Sequence, residues 1–444
     1  MAALGSIRGS YDGQQGVRAL GAEGTKLVSQ GSGPSNPTQI PSAIGVVADG
    51  VYIVGGLGNA LSIDVGDSVV QIDTGTSAAA ADVMMQLLAA YTRSPVGTIV
   101  YSHGHLGYNF GVDEWVAAAI RAGRAAPPIV AQIAAGEMIQ RFRETTPMTL
   151  LLEALEFHHP IPTAPGRLPL TPPTVTFTDI YTVVGPARRV EIFSAPSETD
   201  GSIAAWIPDT GVIYAGPGCI TELPNIGLPL RTPRDALRWA STLDRLASYE
   251  AAILVPQYGP VVTGADAVRD VFASTAEALR YVHGAVTAQL NAGFNLNEAL
   301  QHITFPKAIF DLPFLGTGYG TRQDLVRAVW ASAVGWWDRN PTWLRSAPEG
   351  DVAQAIRSAI SDPGAVLARA EALRENGDRQ LALHVVDLLA LAPGGDEIVL
   401  AARALKAALC YELAEVEENF TRQSLYRSAG DIISNPPSVP TGVR

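Results

Sequence analysis

Apolar and polar positions change their period twice along the chain. From Ile44 onward, short runs of β-branched and aromatic residues are separated by Gly- and Asp-containing turns, the pattern of strands. Residues 44–54 read as a hairpin turning at Asp49-Gly50, and residues 61–65 and 68–73 as a second one turning at Gly66-Asp67. An Ala/Leu/Met-rich helix is expected over 78–92, a buried strand over 97–101, a helix over 112–121, a strand over 127–130 and a helical insertion over 137–155. Strands resume at 174–177, 181–184, 189–193, 203–207 and 212–215, followed by an amphipathic helix over 235–247 and a last strand over 251–255. From about residue 268 the period is helical throughout, with helices expected at 268–290, 296–302, 323–333, 353–360, 363–376, 379–392 and 396–420.

Hairpins that give way to alternating helix and strand fit an α/β class protein, an αββα sandwich followed by an all-α region. The expected organisation is an arm at 1–40, rich in Gly, Ser, Pro and Gln, a sandwich domain at 41–267 and a helical domain at 268–444. A length of 444 residues agrees with more than one core. With 47% hydrophobic and 17% charged residues and no apolar run of membrane-spanning length, a globular protein without a membrane span is expected. The net charge of -12 argues against broad nucleic-acid or anionic-membrane surfaces. Cys219 and Cys410 lie far apart and offer neither a disulfide framework nor a Cys-x-x-Cys metal site. The first residues lack a basic segment followed by an apolar core, so a cytoplasmic location is expected.

Chemistry concentrates in Tyr101-Ser-His-Gly-His-Leu-Gly-Tyr108, the loop that leaves the strand at 97–101. Open α/β sheets place their sites at the carboxyl ends of strands. Residues two apart in an extended loop point to one side, so His103 and His105 can converge on a metal ion. Asp73, at the end of an earlier strand, reads as a helix N-cap. The His158-His159-Pro160 stretch ends a helix, and its adjacent histidines diverge; it is read as a cap and not as a ligand pair.

The strand, His-x-His loop and helix, preceded by Asp64-Val-Gly-Asp-Ser-Val-Val-Gln-Ile-Asp-Thr-Gly75, resemble the metallo-β-lactamase fold. Within that superfamily the chain is similar to the alkyl sulfatases that hydrolyse dodecyl sulfate. The stretches that carry this are Ser194-Ala-Pro-Ser-Glu-Thr-Asp200, Pro224-Asn-Ile-Gly-Leu-Pro-Leu-Arg-Thr-Pro-Arg-Asp235, Gly318-Tyr-Gly-Thr321 and Gly335-Trp-Trp-Asp-Arg-Asn-Pro341. The family loop reads His-x-His-x-Asp-His and divides its ligands between two zinc ions. Here Gly107 and Tyr108 stand at the third and fourth positions, Pro217 falls near the position of a second glutamate, and Gln257 stands where a late histidine is expected. The first family glutamate is matched by Glu198.

The resemblance therefore implies a reduced, mononuclear site of His103, His105 and Glu198. Two imidazoles and one carboxylate form a known catalytic zinc set and also the facial triad of iron(II) proteins. Zinc is the expected ion, iron the alternative, and a metal-free cleft the third reading. Tyr108 and Asp200 are the candidates to move protons, Asn225 and Arg231 to grip an anionic substrate, and Tyr319 to reach it; Arg234 competes with Arg231 for its role. Glu222 is a candidate replacement ligand. The implied activity is hydrolysis of a small anionic or amphipathic ester by a homodimer, without the sterol-carrier-like domain that usually follows in this family. The alternatives are a metal-free or iron-dependent lyase, isomerase or oxygenase, and a non-catalytic binding protein.

Overall fold

The computed structural model describes residues 44–162 and 168–443; the expected arm at 1–40 lies outside them. Two sheets form the sandwich. The first, of seven strands, runs in sequence order from β1 (Ile44–Ala48) through β2 (Val51–Gly56), β3 (Gly58–Asp64), β4 (Val69–Ile72), β5 (Val96–Val100) and β6 (Ile129–Gln132) to β7 (Val175–Phe177). It is antiparallel up to β4 and parallel from β4 to β7. The second has six strands in the order β13-β12-β11-β10-β9-β8. These are β8 (Ile180–Val184), β9 (Arg189–Ser194), β10 (Ile203–Ile207), β11 (Val212–Ile220), β12 (Ile253–Tyr258) and β13 (Val262–Thr263).

Strand periodicity explains the layering. In β2, Val51 and Ile53 join the core between the sheets while Tyr52 and Val54 join the core beneath the helices, so both faces are covered. Helices α1 (Ala78–Leu88), α2 (Val112–Arg121) and α3 (Ile133–Glu144) cover the first sheet, with Met84, Val112, Trp115 and Ile139 in that core. The helices α5 (Ala236–Ala247) and α6 (Ala265–Asn291), with the shorter α7 (Leu296–His302), α8 (Lys307–Phe310) and α9 (Arg322–Ala333), build a core on the second sheet around Trp239, Phe272, Phe314 and Trp330. The architecture is the expected αββα sandwich with helices after it.

Backbone hydrogen bonds tie the two sheets together. The Ile203 N–H donates to the Ser102 carbonyl at 2.9 Å, beside the histidine loop, and the Ala187 N–H donates to the Val65 carbonyl at 2.8 Å.

Contacts divide the described chain into a first unit of residues 44–145 and 168–334 and a second of residues 146–162 and 335–443. The boundary expected between residues 267 and 268 falls inside α6, and the first unit continues to the end of α9. The helix expected over 137–155 is two, α3 and α4 (Thr146–Glu156), broken at Thr145. Pro147 accounts for the break: it fits the first turn of a new helix and not the interior of a continuing one. One strand escaped the sequence pattern, the two-residue β13, which pairs antiparallel with β12.

The second unit holds α4 and the helices α10 (Glu349–Ser358), α11 (Pro363–Glu375), α12 (Arg379–Ala390), α13 (Glu397–Val416) and α14 (Phe420–Ser434). Leu373, Val386, Leu389, Leu405 and Leu409 form its core. His158 stays out of any ligand group: its Nε2 lies 2.8 Å from Asp431 Oδ2 within this unit. Among the described residues no helix is long and apolar enough to cross a membrane.

Candidate active site

The histidine loop follows β5, and its backbone is fixed by a carboxylate. Asp73 is buried, holds a left-handed φ of 60°, and accepts from the Ser102 N–H at 2.9 Å and Asn109 Nδ2 at 3.0 Å. The expected N-cap role is not what it performs. Ser77 caps α1, accepting from the Ala80 N–H, while Asp73 faces inward to bind the loop that carries the histidines. Burial raises its carboxyl to about 6 although Ser102, Asn109 and Gln257 oppose the shift.

His103 is 2% exposed, its Nδ1 held by Ser102 Oγ at 2.8 Å and its ring packed edge-on to Tyr108 with centroids 4.3 Å apart. Burial first, and then His105, lower its pKa to about 3, so the imidazole is neutral, the form that ligates metals. Glu198 arrives from the other sheet on the loop after β9. Its Oε2 lies 2.8 Å from His105 Nδ1 and 4.0 Å from His103 Nε2. Its Oε1 is bound by Arg234 Nη2 at 2.6 Å. Burial alone would raise this carboxyl, but Arg234 and then His105 together hold it well below the ordinary carboxylate range.

These three residues form a group whose candidate ligand atoms all lie within 4.8 Å of one another. Tetrahedral zinc with bonds near 2.0–2.2 Å needs donors roughly 3.3 Å apart, and the two separations to Glu198, 2.8 and 4.0 Å, fall on either side of that. Oε2 is buried without an aligned hydrogen-bond donor, although an imidazole nitrogen is close. The donor set fits one divalent ion. Among the described residues no second group of three such ligands occurs. Gly107 adopts a φ of +88°, and a Cβ there would stand 2.6 Å from Leu57 Cδ2, so an aspartate at the third loop position would hold a left-handed backbone and displace the Leu57 side chain. The Tyr108 hydroxyl lies 2.7 Å from that of Tyr258. Gln257 is buried and accepts from the Tyr214 hydroxyl at 2.8 Å.

Asn225 is 5% exposed, and its Oδ1 and carbonyl accept from Arg234 Nη1 at 2.7 and 2.9 Å. Arg234 Nε also donates to the Glu198 carbonyl at 2.9 Å. It is thus Arg234 that locks the Glu198 and Asn225 loops; Arg231, expected to grip an anionic substrate, is half-buried three residues earlier. Asp200 does not join the group. Its carboxylate is exposed and pairs with Arg238, because a turn at Thr199-Asp200-Gly201 directs it outward. Tyr319 contributes to the field that, after burial, raises Tyr108. Its loop is held by Glu222, whose Oε2 accepts from the Gly318 N–H at 2.9 Å, and by Thr321 and Asp324, which make a capping box at α9. Glu222 serves that loop and is no member of the ligand group. Sequence reasoning missed Ser102 and Tyr258. The only signal for either was adjacency, to His103 and to Gln257.

Residues 53–258 match the metallo-β-lactamase superfamily, and residues 295–435 match the alkyl sulfatase dimerisation region. A linear primary-alkylsulfatase of Pseudomonas sp. is 28% identical over 218 residues, 48% of this chain and 41% of that protein. An (R)-specific secondary-alkylsulfatase of Pseudomonas sp. is 25% identical over 407 residues, 85% of this chain and 60% of that protein. The chain therefore spans between 41% and 61% of the length of these curated relatives. The solved stereoselective inverting sec-alkylsulfatase from Pseudomonas sp. superposes with a TM-score of 0.78 at 20% identity, covering 98% of this chain and 71% of that one.

Proposed function

The chain is a metallo-β-lactamase superfamily member that carries an alkyl sulfatase dimerisation region, and from that premise we propose that it hydrolyses a small anionic ester of the alkyl sulfate type, as a homodimer. The observation that carries the reading is the buried Glu198 Oε2, directed at both imidazoles and without an aligned hydrogen-bond donor. His103, His105 and Glu198 would hold one divalent ion, with zinc the expected one. Such an ion, when bound, supplies Lewis-acid stabilisation of developing negative charge and lowers the pKa of water.

The residues of the chain do the positioning. Asp73 and Ser102 fix the histidine loop and the His103 ring, so the Nε2 edge is the one presented to the cleft. Arg234 fixes the Glu198 carboxylate from behind through Oε1 and leaves Oε2 for the ligand side. Asn225 sits in the same network, on the loop proposed to receive the anion. Tyr108 packs edge-on against His103 and helps keep it buried. A metal-free cleft is the second reading, and the Arg234–Glu198 pair favours it, since the guanidinium neutralises the carboxylate without a metal ion.

Metal content by inductively coupled plasma mass spectrometry, with sulfate release from dodecyl sulfate, tests the proposal. One equivalent of metal in the native chain, lost together with sulfate release in His103→Ala, is expected. No metal and unchanged hydrolysis in the variant would overturn it in favour of the metal-free reading.

A further inference from the structure

Two hydroxyls that face each other carry two protons, and one hydrogen bond between them uses one proton. Tyr108 and Tyr258 are such a pair, 2.7 Å apart, with ring centroids 6.5 Å apart. Phenols are protonated at neutral pH, with an ordinary pKa near about 10. Among the described residues, neither hydroxyl makes a further hydrogen bond, so the second proton has no protein acceptor. It sits beside the candidate site: the Tyr108 ring packs against His103, and Tyr258 ends β12.

We infer that the pair is an oxyanion-binding donor of this cleft, and that Tyr258 presents the free proton to an oxygen of a sulfate-type anion. Exposure sets the order of donation. Tyr108 is buried at 8% and has only Tyr258 to donate to among the described residues, whereas Tyr258 is the more exposed of the two. Tyr108 therefore donates inward to Tyr258, and that bond polarises the outer O–H, since hydrogen bonds in a chain strengthen one another. Glu198, the nearby negative charge, is paired with Arg234, which lets an anion approach. Tyr258 lay outside the residues that the sequence singled out. The class of anion rests on the hydrolase reading above; the donor itself rests on proton count and exposure.

Calorimetric titration of inorganic sulfate into the full chain, at neutral pH and constant ionic strength, tests this. Tyr258→Phe removes the outer donor and is expected to weaken sulfate by about tenfold, the loss of one hydrogen bond to a charged partner. Tyr108→Phe leaves that donor in place and is expected to weaken sulfate no more than about threefold. Unchanged affinity in Tyr258→Phe, a larger loss in Tyr108→Phe, or no sulfate binding by the native chain would each overturn the inference. If Tyr258→Phe does not fold, the tyrosine difference absorbance of the native chain decides: a shift on adding sulfate supports the donor, and none refutes it. Dodecyl sulfate hydrolysis by the native chain, measured in parallel, separates the two claims. Hydrolysis with sulfate affinity unchanged in Tyr258→Phe sinks the donor alone. The expected ranking without hydrolysis sinks the hydrolase alone.

Discussion

Replacing Glu222 by Gln should change how the first unit responds to pH. The Glu222 side chain lies under the loop of residues 316–320 and accepts N–H bonds from Gly318 and Tyr319. Burial outweighs those bonds and lifts its pKa from 4.5 to about 7. Between those values the folded chain keeps a proton that the unfolded chain has released, so stability falls as pH rises through the window and levels off above it. Lifting the carboxyl from 4.5 to about 7 corresponds to at most about 3.4 kcal/mol. Glutamine has the shape of the protonated acid and does not titrate. At pH 4 the two proteins should therefore be about equally stable, while at pH 8 Glu222→Gln should be the more stable by up to about 3.4 kcal/mol. Urea unfolding followed by tryptophan fluorescence reports on this unit, because Trp115 and Trp239 are buried in it. Parallel pH profiles for the two proteins would refute the reasoning. A loss of bound metal in Glu222→Gln would show instead that Glu222 is a ligand after all.

Two further perturbations address the ligand loop and its support. Gly107→Asp, which restores a carboxylate to the third loop position, should destabilise the chain and gain no second ion; the left-handed backbone costs about 1 kcal/mol and the Leu57 contact adds to it. Denaturation and metal content measure both, and two equivalents of metal would contradict the steric argument. Arg234→Met strips the Glu198 carboxylate of its partner and should cost roughly 3–5 kcal/mol in the metal-free protein, the usual penalty for a buried charge left alone. Added zinc should recover part of that loss in a thermal melt; no recovery would argue against an ion at Glu198.

The strands and most helices were legible because the central strands of both sheets are buried on their two faces, which makes apolar runs such as Val51–Gly56 unmistakable. The two-residue β13 escaped because no period can be read in so short a segment. In the site, His103 and His105 showed themselves through spacing, whereas Glu198, some ninety residues on, was visible only through resemblance. Asp73 was misjudged for a physical reason: a carboxylate after a strand and before a helix has the local signature of a cap, and only the fold reveals that it faces Ser102 instead. Asp200 shows the complementary limit. It sits two residues from Glu198, and the loop's local turn directs Glu198 inward and Asp200 outward to Arg238.

The hydrogen bond from Ile203 to Ser102 joins the sheets one residue from His103, and the site's side chains come from both layers. Anything that bridges His103 and Glu198 thus fastens one layer to the other, so its binding energy becomes resistance of the whole sandwich to melting. An occupant at a hundred times its dissociation constant adds about 2.7 kcal/mol. The natural substrate, or a product that resembles it, can accordingly be sought by warming the protein with collections of anions and watching which of them delays its unfolding.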